Sequence, residues 1–530
     1  MDYLCRKHCV MAEMKYPIGI QSFEKIRRGG HVYVDKTDLI YRLVQDDAPY
    51  FLSRPRRFGK SLLISTLQAY FQGQRELFAG LALGRLETEW SQYPVLRLDF
   101  ANMNFSRPSE LTDGIETFIA QAESTYGKDP AATSFGDRFM SVITKAEERT
   151  GRKVVVLIDE YDKPLLDVLG TPQEQVNRDI LRGFYGTLKS ADQHLRFVLL
   201  TGITKFAQVS IFSGLNNLRD ISLSPRYDTL CGITTEELHT VFNEPIRTMA
   251  AKLGKTEDQM KDALRLRYDG YHFSEAMHDV YNPFSILNVM AEQKLADYWF
   301  STATPTYLIR LMERFNQDIS QLVSQYYPAR LFMDQGTDEE HPLPMLYQSG
   351  YLTIKDYDAE YEEYRLDFPN KEVSRGFLTL TTTSYLKLPE DVSPRASRLA
   401  RALKCGQTDR FRAELTALLS SIPYHLRRRK DEEEQERDFH YTFYLIMRLV
   451  GDFTVFSEKR QSQGRVDCVI ETPEHVYIFE FKRDGSATDA LRQIHYRGYA
   501  REYQADPRRL HLIGCNFSSK TGTIEGWEEE

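Results

Sequence analysis

Residues 153–159, KVVVLID, set five apolar residues in a row and then an acid. A surface helix or a half-exposed strand would leave part of such a run in water. A strand covered on both faces would not, and strands of that kind belong to parallel sheets flanked by helices. APYFLS (48–53), PVLRLDF (94–100) and LRFVLLTG (195–202) read as further strands. Helical stretches lie between them, near 109–125, 136–149 and 173–190. Strands alternating with helices predict an α/β fold built on a doubly wound parallel sheet.

The first of these strands leads into RPRRFGKS (54–61), and SLLISTLQAYF (61–71) then reads as a helix. The order strand, glycine-containing turn and helix is that of a phosphate-binding loop. Arg54 stands where the usual pattern has its first glycine. The rest fits: Gly59 lets the backbone bend, Lys60 can reach the β- and γ-phosphates, and the Ser61 hydroxyl can ligate magnesium. The amides of Arg57, Phe58 and Leu62 flank the same turn, and the helix N-terminus favours an anion. Arg54, Arg56 and Arg57 are expected to add positive charge beside it. A bare GKS is a weak signal; a basic surface turn would look similar. The partner motif strengthens it. Asp159 ends the buried strand, where it can hold magnesium through water, and Glu160 follows, where it can polarise the attacking water. The stretch between Lys60 and Asp159 has room for one extra strand, which PVLRLDF supplies. Thr201 ends the next strand, where a polar side chain can sense the γ-phosphate. These features predict ATP and Mg2+ as ligands, in the manner of the ATPase branch of phosphate-loop proteins.

Composition narrows the classes. With 530 residues the chain can bury several cores, so disulfide staples are not needed. The cysteines Cys5, Cys9, Cys231, Cys405, Cys468 and Cys515 are scattered, and Cys5, His8 and Cys9 lack a second half of a metal site. No apolar run reaches the roughly 18 residues of a membrane span. The first residues lack the apolar core of a signal peptide. A cytoplasmic protein with no membrane partner is expected. The net charge of −8 argues against a chain coated in basic residues, but nucleic-acid binding depends on local patches.

Residues 1–16 read as an N-terminal tail and 17–231 as the phosphate-binding domain. From 232 to 390 the pattern turns helical, with a hairpin of YLTIKDY and YEEYRLDF; a helical lid with a winged-helix-like region is expected. The acids of that hairpin (351–367) suit a protein partner better than a phosphate. Residues 391–430 read as a helical linker, and 431–530 as a last small domain.

In that domain, GRVDCVIETPEHVYIFEFK (464–482) places two apolar runs around a turn-like TPEH, which predicts a hairpin. If the turn is symmetric about Pro473 and Glu474, Asp467 faces Glu480, and Lys482 lies on the same face, diagonal to Asp467. Val466, Cys468, Ile470, Tyr477, Phe479 and Phe481 then form a core on the other face. Two carboxylates that close repel unless a cation separates them. A magnesium ion held by Asp467 and Glu480 can activate water, and Lys482 can orient it; that is phosphodiester-cleaving chemistry. A salt-bridged solvent face on an edge hairpin is the competing reading. An amphipathic helix at 436–451, with Glu436 at its start, precedes the hairpin. A helix at 489–503 with Gln493 follows it.

RPRRFGKSLL, VVVLIDEYDKPL, LTGITKF, YDGYHF, VYNPFSILN, LYQSGYLTI and the 464–482 hairpin together resemble a bacterial family. That family joins an AAA-ATPase-like domain to a C-terminal PD-(D/E)xK nuclease-superfamily domain. The resemblance runs from Tyr16 to about residue 518, and RPRRFGKS is that family's own form of the loop. It implies nucleotide contacts at Gly59, Lys60 and Ser61, with Asp159 and Glu160 as the acidic pair. It also implies a catalytic Asp467, Glu480 and Lys482 supported by Glu436 and Gln493. It points to nucleic acid, DNA before RNA, and to DNA processing or defence against foreign DNA. The alternative expectation is a regulatory switch ATPase whose nuclease fold only binds nucleic acid or a protein partner. Oligomeric state is not legible, because no arginine finger can be named.

Overall fold

In the computed structural model the described residues are 14–530, apart from 47, 206–216, 301–321, 334–341, 387–392, 423–438, 441, 449–452 and 462–463. The chain divides into two compact units, Met1–Tyr307 with Ser324–Val373, and Leu308–Val323 with Ser374–Glu530.

The first unit is built on five strands: β1 (Pro49–Ser53), β2 (Val95–Asp99), β3 (Val154–Asp159), β4 (Leu195–Gly202) and the short β5 (Arg219–Asp220). Their order is β2-β3-β4-β1-β5, and every pairing is parallel. The apolar run of β3 is buried at every position, as a strand covered on both faces requires. The long helices between strands are Lys60–Phe71, Glu110–Tyr126, Phe135–Thr150 and Pro172–Ser190. Local chemistry sets their ends. The Ser134 hydroxyl accepts from the Asp137 amide at the start of Phe135–Thr150, and Gly151 closes that helix in the left-handed conformation. Their apolar faces meet the sheet through Ile115, Phe139, Val142 and Phe184, in one core with Val154, Val156 and Ile158.

A helical layer follows in the same unit: Thr235–Val241, Asn243–Lys252, Glu257–Tyr268 and Pro283–Glu292. Capping boxes at Thr234/Glu237 and Thr256/Gln259 start two of these helices. Leu238, Phe242, Ile246, Met260 and Leu264 make its core. Strands β6 (Ile233–Thr234) and β7 (Val280–Tyr281) pair across it. Strands β8 (Gln325–Pro328), β9 (Thr353–Asp358) and β10 (Glu363–Asp367) form an antiparallel sheet, β8-β10-β9. The expected hairpin of the winged-helix-like region is β9–β10.

The second unit carries a mixed sheet of β11 (Thr454–Gln461), β12 (Gly464–Glu471), β13 (His475–Arg483), β14 (Arg509–Phe517) and β15 (Ile524–Glu529), in chain order. β13 and β14 are parallel; the other neighbours are antiparallel. The parallel step needs a crossover, and the helix Ala487–Arg497 supplies it, capped by Ser486. Gly514 on β14 lets that helix approach: a Cβ there would stand 2.3 Å from the Ala487 carbonyl oxygen. Residues 439–440 and 442–448 are helical. Phe439 and Phe443 lie against the Phe481 ring at 5.3 and 4.8 Å.

Candidate functional site

β1 ends at Ser53 and the chain turns sharply into the helix Lys60–Phe71. Gly59 caps that helix with φ 99°, a conformation open to glycine and strained for other residues. The Lys60 side chain is 4 % exposed and folds into its own loop. Its Nζ donates to the carbonyls of Arg54 (3.0 Å) and Pro55 (3.3 Å) and stands 3.8 Å from Glu160 Oε1. Ser61 and Leu62 occupy the first helical turn, partly buried.

The tip of β3 meets this loop. Asp159 is fully buried; its Oδ1 accepts from Thr201 Oγ1 at 2.7 Å and from the Glu160 amide at 3.1 Å. Its Oδ2 has no hydrogen-bond partner among the described residues. A desolvated carboxylate oxygen is costly unless something positive meets it, so the donor set suits a cation. Glu160 has φ 52°, in the left-handed region for a residue with a side chain. Burial raises its pKa, Asp162 and Asp159 add to the rise, and Lys60 opposes it.

Three expected contributors differ in how they sit. Arg54 does not lend charge to the loop's mouth. It is 2 % exposed, donates to the carbonyls of Ser53, Ser222 and Tyr227 at 2.9, 2.8 and 3.1 Å, and lies 4.2 Å from the Phe273 ring centroid. A long cation in the glycine's place reaches the nearest acceptors, and those are inside the protein. Arg57 is exposed, with its guanidinium 4.8 Å over the Phe284 ring. The Phe58 side chain is buried edge-on to Tyr271 and Phe273, which leaves its backbone amide as the group that can face a ligand.

Asp162 escaped the sequence reading. It is fully buried, and its Oδ2 accepts from the amides of Ile203 (3.0 Å) and Thr204 (2.7 Å) and from Thr204 Oγ1 (2.8 Å). Tyr161 OH donates to the Thr204 carbonyl at 2.6 Å. The turn after β3 is thus tied to the end of β4. The signal was present: in DEYD, three acids crowd a buried strand end, and not all of them can face one ligand.

In the second unit, β12 and β13 pair Cys468 with Phe479, Val469 with Ile478 and Ile470 with Tyr477, the register expected from the symmetric turn. Asp467, one step further, accepts the Phe481 amide on Oδ2 at 2.8 Å. Glu480 is 2 % exposed. Lys482 Nζ donates to Gln493 Oε1 at 2.7 Å and stands 3.7 Å from Glu480 Oε1, and Gln493 Nε2 donates to that same Glu480 oxygen. Gln493 thus bridges the acid and the lysine. Burial, then the Asp467 charge, push Glu480 up to about 8 against the pull of Lys482. Its Oε2 is buried without a partner among the described residues. That orphaned oxygen beside Asp467 suits a divalent cation. Both strands are interior to the sheet, and Ile494 of the helix Ala487–Arg497 packs on this face, so this is no edge hairpin. The other face is buried as expected, but so are Val469, Val476 and Ile478, which pack with Ile494 under the crossover helix. Glu436 lies outside the described residues. Among the described residues no group of three or more His, Cys, Asp or Glu is placed to hold a metal, so either cation site would draw on few protein carboxylates.

Residues 17–212 match the model of the predicted AAA-ATPase family, and residues 434–527 match that of the PD-(D/E)XK nuclease superfamily. The chain belongs to the AAA-ATPase-like proteins with a C-terminal PD-(D/E)XK domain. An uncharacterized protein from the vnfD 5′ region of Azotobacter chroococcum mcd 1 is 36 % identical to this AAA-ATPase-like protein over 530 residues, 98 % of this chain and 99 % of its own. Solved structures similar to it include the Aeropyrum pernix ORC2 protein in ADPNP–ADP complexes. That match has TM-score 0.27 and 12 % identity, over 66 % of this chain and 92 % of that one. The A. pernix ORC1 protein in complex with DNA follows at TM-score 0.24 and 10 % identity, over 65 % and 92 %. Likeness that weak says nothing of this chain's ligands. Among the described residues no helix is long and apolar enough to cross a membrane.

Proposed function

We propose that the chain binds and hydrolyses ATP and couples this to magnesium-dependent cutting of nucleic acid, DNA before RNA, in the cytoplasm. The observation that carries the nuclease half is the buried Glu480, with one oxygen bridged through Gln493 to Lys482 and the other left open beside Asp467. A divalent metal, when bound there, would supply Lewis acidity and lower the pKa of a water so that, once deprotonated, it can attack phosphorus. Asp467 and Glu480 would hold it, and Lys482, fixed by Gln493, would orient the attacking water. In the first unit Gly59, Lys60 and Ser61 would cradle the phosphates. Asp159, aligned by Thr201, would hold the cation's water shell, and Glu160 would take the proton from the attacking water. The raised pKa of Glu160 suits a group that must accept one. The four described cysteines are all free, which fits a reducing compartment. Roles in DNA processing or defence agree with this chemistry.

A plasmid-nicking assay with magnesium tests the proposal. Asp467→Ala and Lys482→Ala should each abolish cutting while ATP binding persists; cutting at the wild-type rate by the double variant would overturn it. The switch reading, in which the nuclease fold only binds, is favoured instead if the wild type retains nucleic acid but never cuts it. The 351–367 hairpin would be the place for a protein partner: Tyr361 is 69 % exposed at its acidic tip.

A further inference from the structure

The helix Ala487–Arg497 presents more than Gln493 to the candidate nuclease site. Gln493 and Tyr496 are one helical turn apart, as are Gln493 and Arg497, so the three share one face. Gln493 and Arg497 line a cleft of about 350 Å³ that also holds Asp467, Glu480 and Lys482, with Arg465 in its wall. Tyr496 does not itself line the cleft; it is 83 % exposed, and its ring centroid lies 5.9 Å from the guanidinium of Arg497, which does. A lone exposed tyrosine needs no explanation. One joined by an arginine to the rim of a cleft lined by carboxylates is different. Arg465 and Arg497 offset acids that would otherwise repel a phosphate backbone. The tyrosine offers a flat face that every base can stack on.

Stacking of that kind requires a base free of its partner. In a duplex the faces of the bases are already covered by their neighbours. We propose that this cleft takes single-stranded nucleic acid, with a base stacked on Tyr496 and the adjoining phosphates held by Arg497 and Arg465. The inference rests on the nuclease reading and names its substrate.

The test uses the full chain and fluorescein-labelled oligonucleotides, single-stranded or annealed to the complement, in DNA and RNA forms. Binding is followed by anisotropy with calcium in place of magnesium. The wild type should bind the single strand more tightly than the duplex. Tyr496→Ala should weaken single-strand binding about tenfold, within the range of base–aromatic stacking, and leave duplex binding unchanged. Tyr496→Phe should restore it. Arg497→Ala should weaken binding and flatten its salt dependence. An unchanged melting temperature in Tyr496→Ala excludes misfolding, as expected for so exposed a side chain. Equal loss on both substrates, no loss, or a duplex preference with cutting intact overturns the single-strand inference alone. No metal-dependent cutting of any substrate overturns the nuclease reading beneath it.

Discussion

The Arg54 guanidinium donates to the Ser222 carbonyl at 2.8 Å, from the loop position where phosphate-binding chains usually carry glycine. The arginine braces the loop from within and ties it to the segment after β5. Restoring the glycine is therefore expected to harm the protein. Arg54→Gly strands buried carbonyls at Ser53, Ser222 and Tyr227, each worth about 1–3 kcal/mol when left without a donor. Urea denaturation should show a loss of at least ~2 kcal/mol. An unchanged midpoint would mean that water replaces the guanidinium.

Thr201 fixes the Asp159 carboxylate through a single 2.7 Å bond. Thr201→Val keeps the shape and removes that bond. We expect kcat for ATP hydrolysis to fall about tenfold or more, the cost of one hydrogen bond to a charged group. Thr201→Ser should stay near wild type. Equal rates in the valine and serine variants would remove Thr201 from the site.

Asp162 separates a structural effect from an electrostatic one. Asp162→Ala leaves two buried amides and a hydroxyl without an acceptor and should destabilise the fold by ~2–4 kcal/mol. Asp162→Asn keeps an oxygen for those donors and removes a negative charge that raises the Glu160 pKa. The acidic limb of kcat/KM against pH should move to lower pH in the asparagine variant. A limb that stays put would show that Glu160 does not set it.

Gln493 touches both Lys482 and Glu480. Gln493→Ala should slow metal-dependent cutting about 10–100-fold, the usual effect of losing an outer-shell partner. ATP hydrolysis measured in the absence of nucleic acid should not change. Wild-type nicking by this variant would make the bridge incidental.

Asp269 predicts a pH effect on stability. It is 2 % exposed, and its Oδ1 lacks a partner among the described residues. Burial above all, with the charge of Asp279 adding, lifts its pKa from 3.8 to about 6. The folded chain then holds a proton that the unfolded chain has released. That contribution is fully present below pH 3.8 and is lost as pH rises through about 6. Asp269→Asn should remove up to about 3 kcal/mol of that pH-dependent loss. Urea midpoints on either side of the window check it; parallel pH profiles for the two proteins would refute it.

Much of the framework was legible in local patterns. KVVVLID reads as a strand covered on both faces, and it is buried at every position. Alternating strands and helices led to the parallel sheet, and TPEH fixed the register that puts Asp467 and Glu480 side by side. Periodicity and turn chemistry act over a few residues, so a sequence carries them openly. Arg54 and Asp162 were not legible in that way. Arg54 reads as a phosphate-facing cation because its neighbours in sequence are basic. Its real partners, Ser222 and Tyr227, are distant in the chain and reach it only through folding. Asp162 likewise reads as one more acid in DEYD until Ile203 and Thr204 arrive on the next strand.

Spacing within one or two neighbouring elements was enough to specify the strand–loop–helix unit, the acidic strand tip and the facing carboxylates. Only the fold settles which of those charged groups is buried, which oxygen is left without a partner, and that Tyr496 stays exposed next to Arg497. Desolvation and long-range hydrogen bonding depend on what the rest of the chain brings into contact, and no local pattern encodes that.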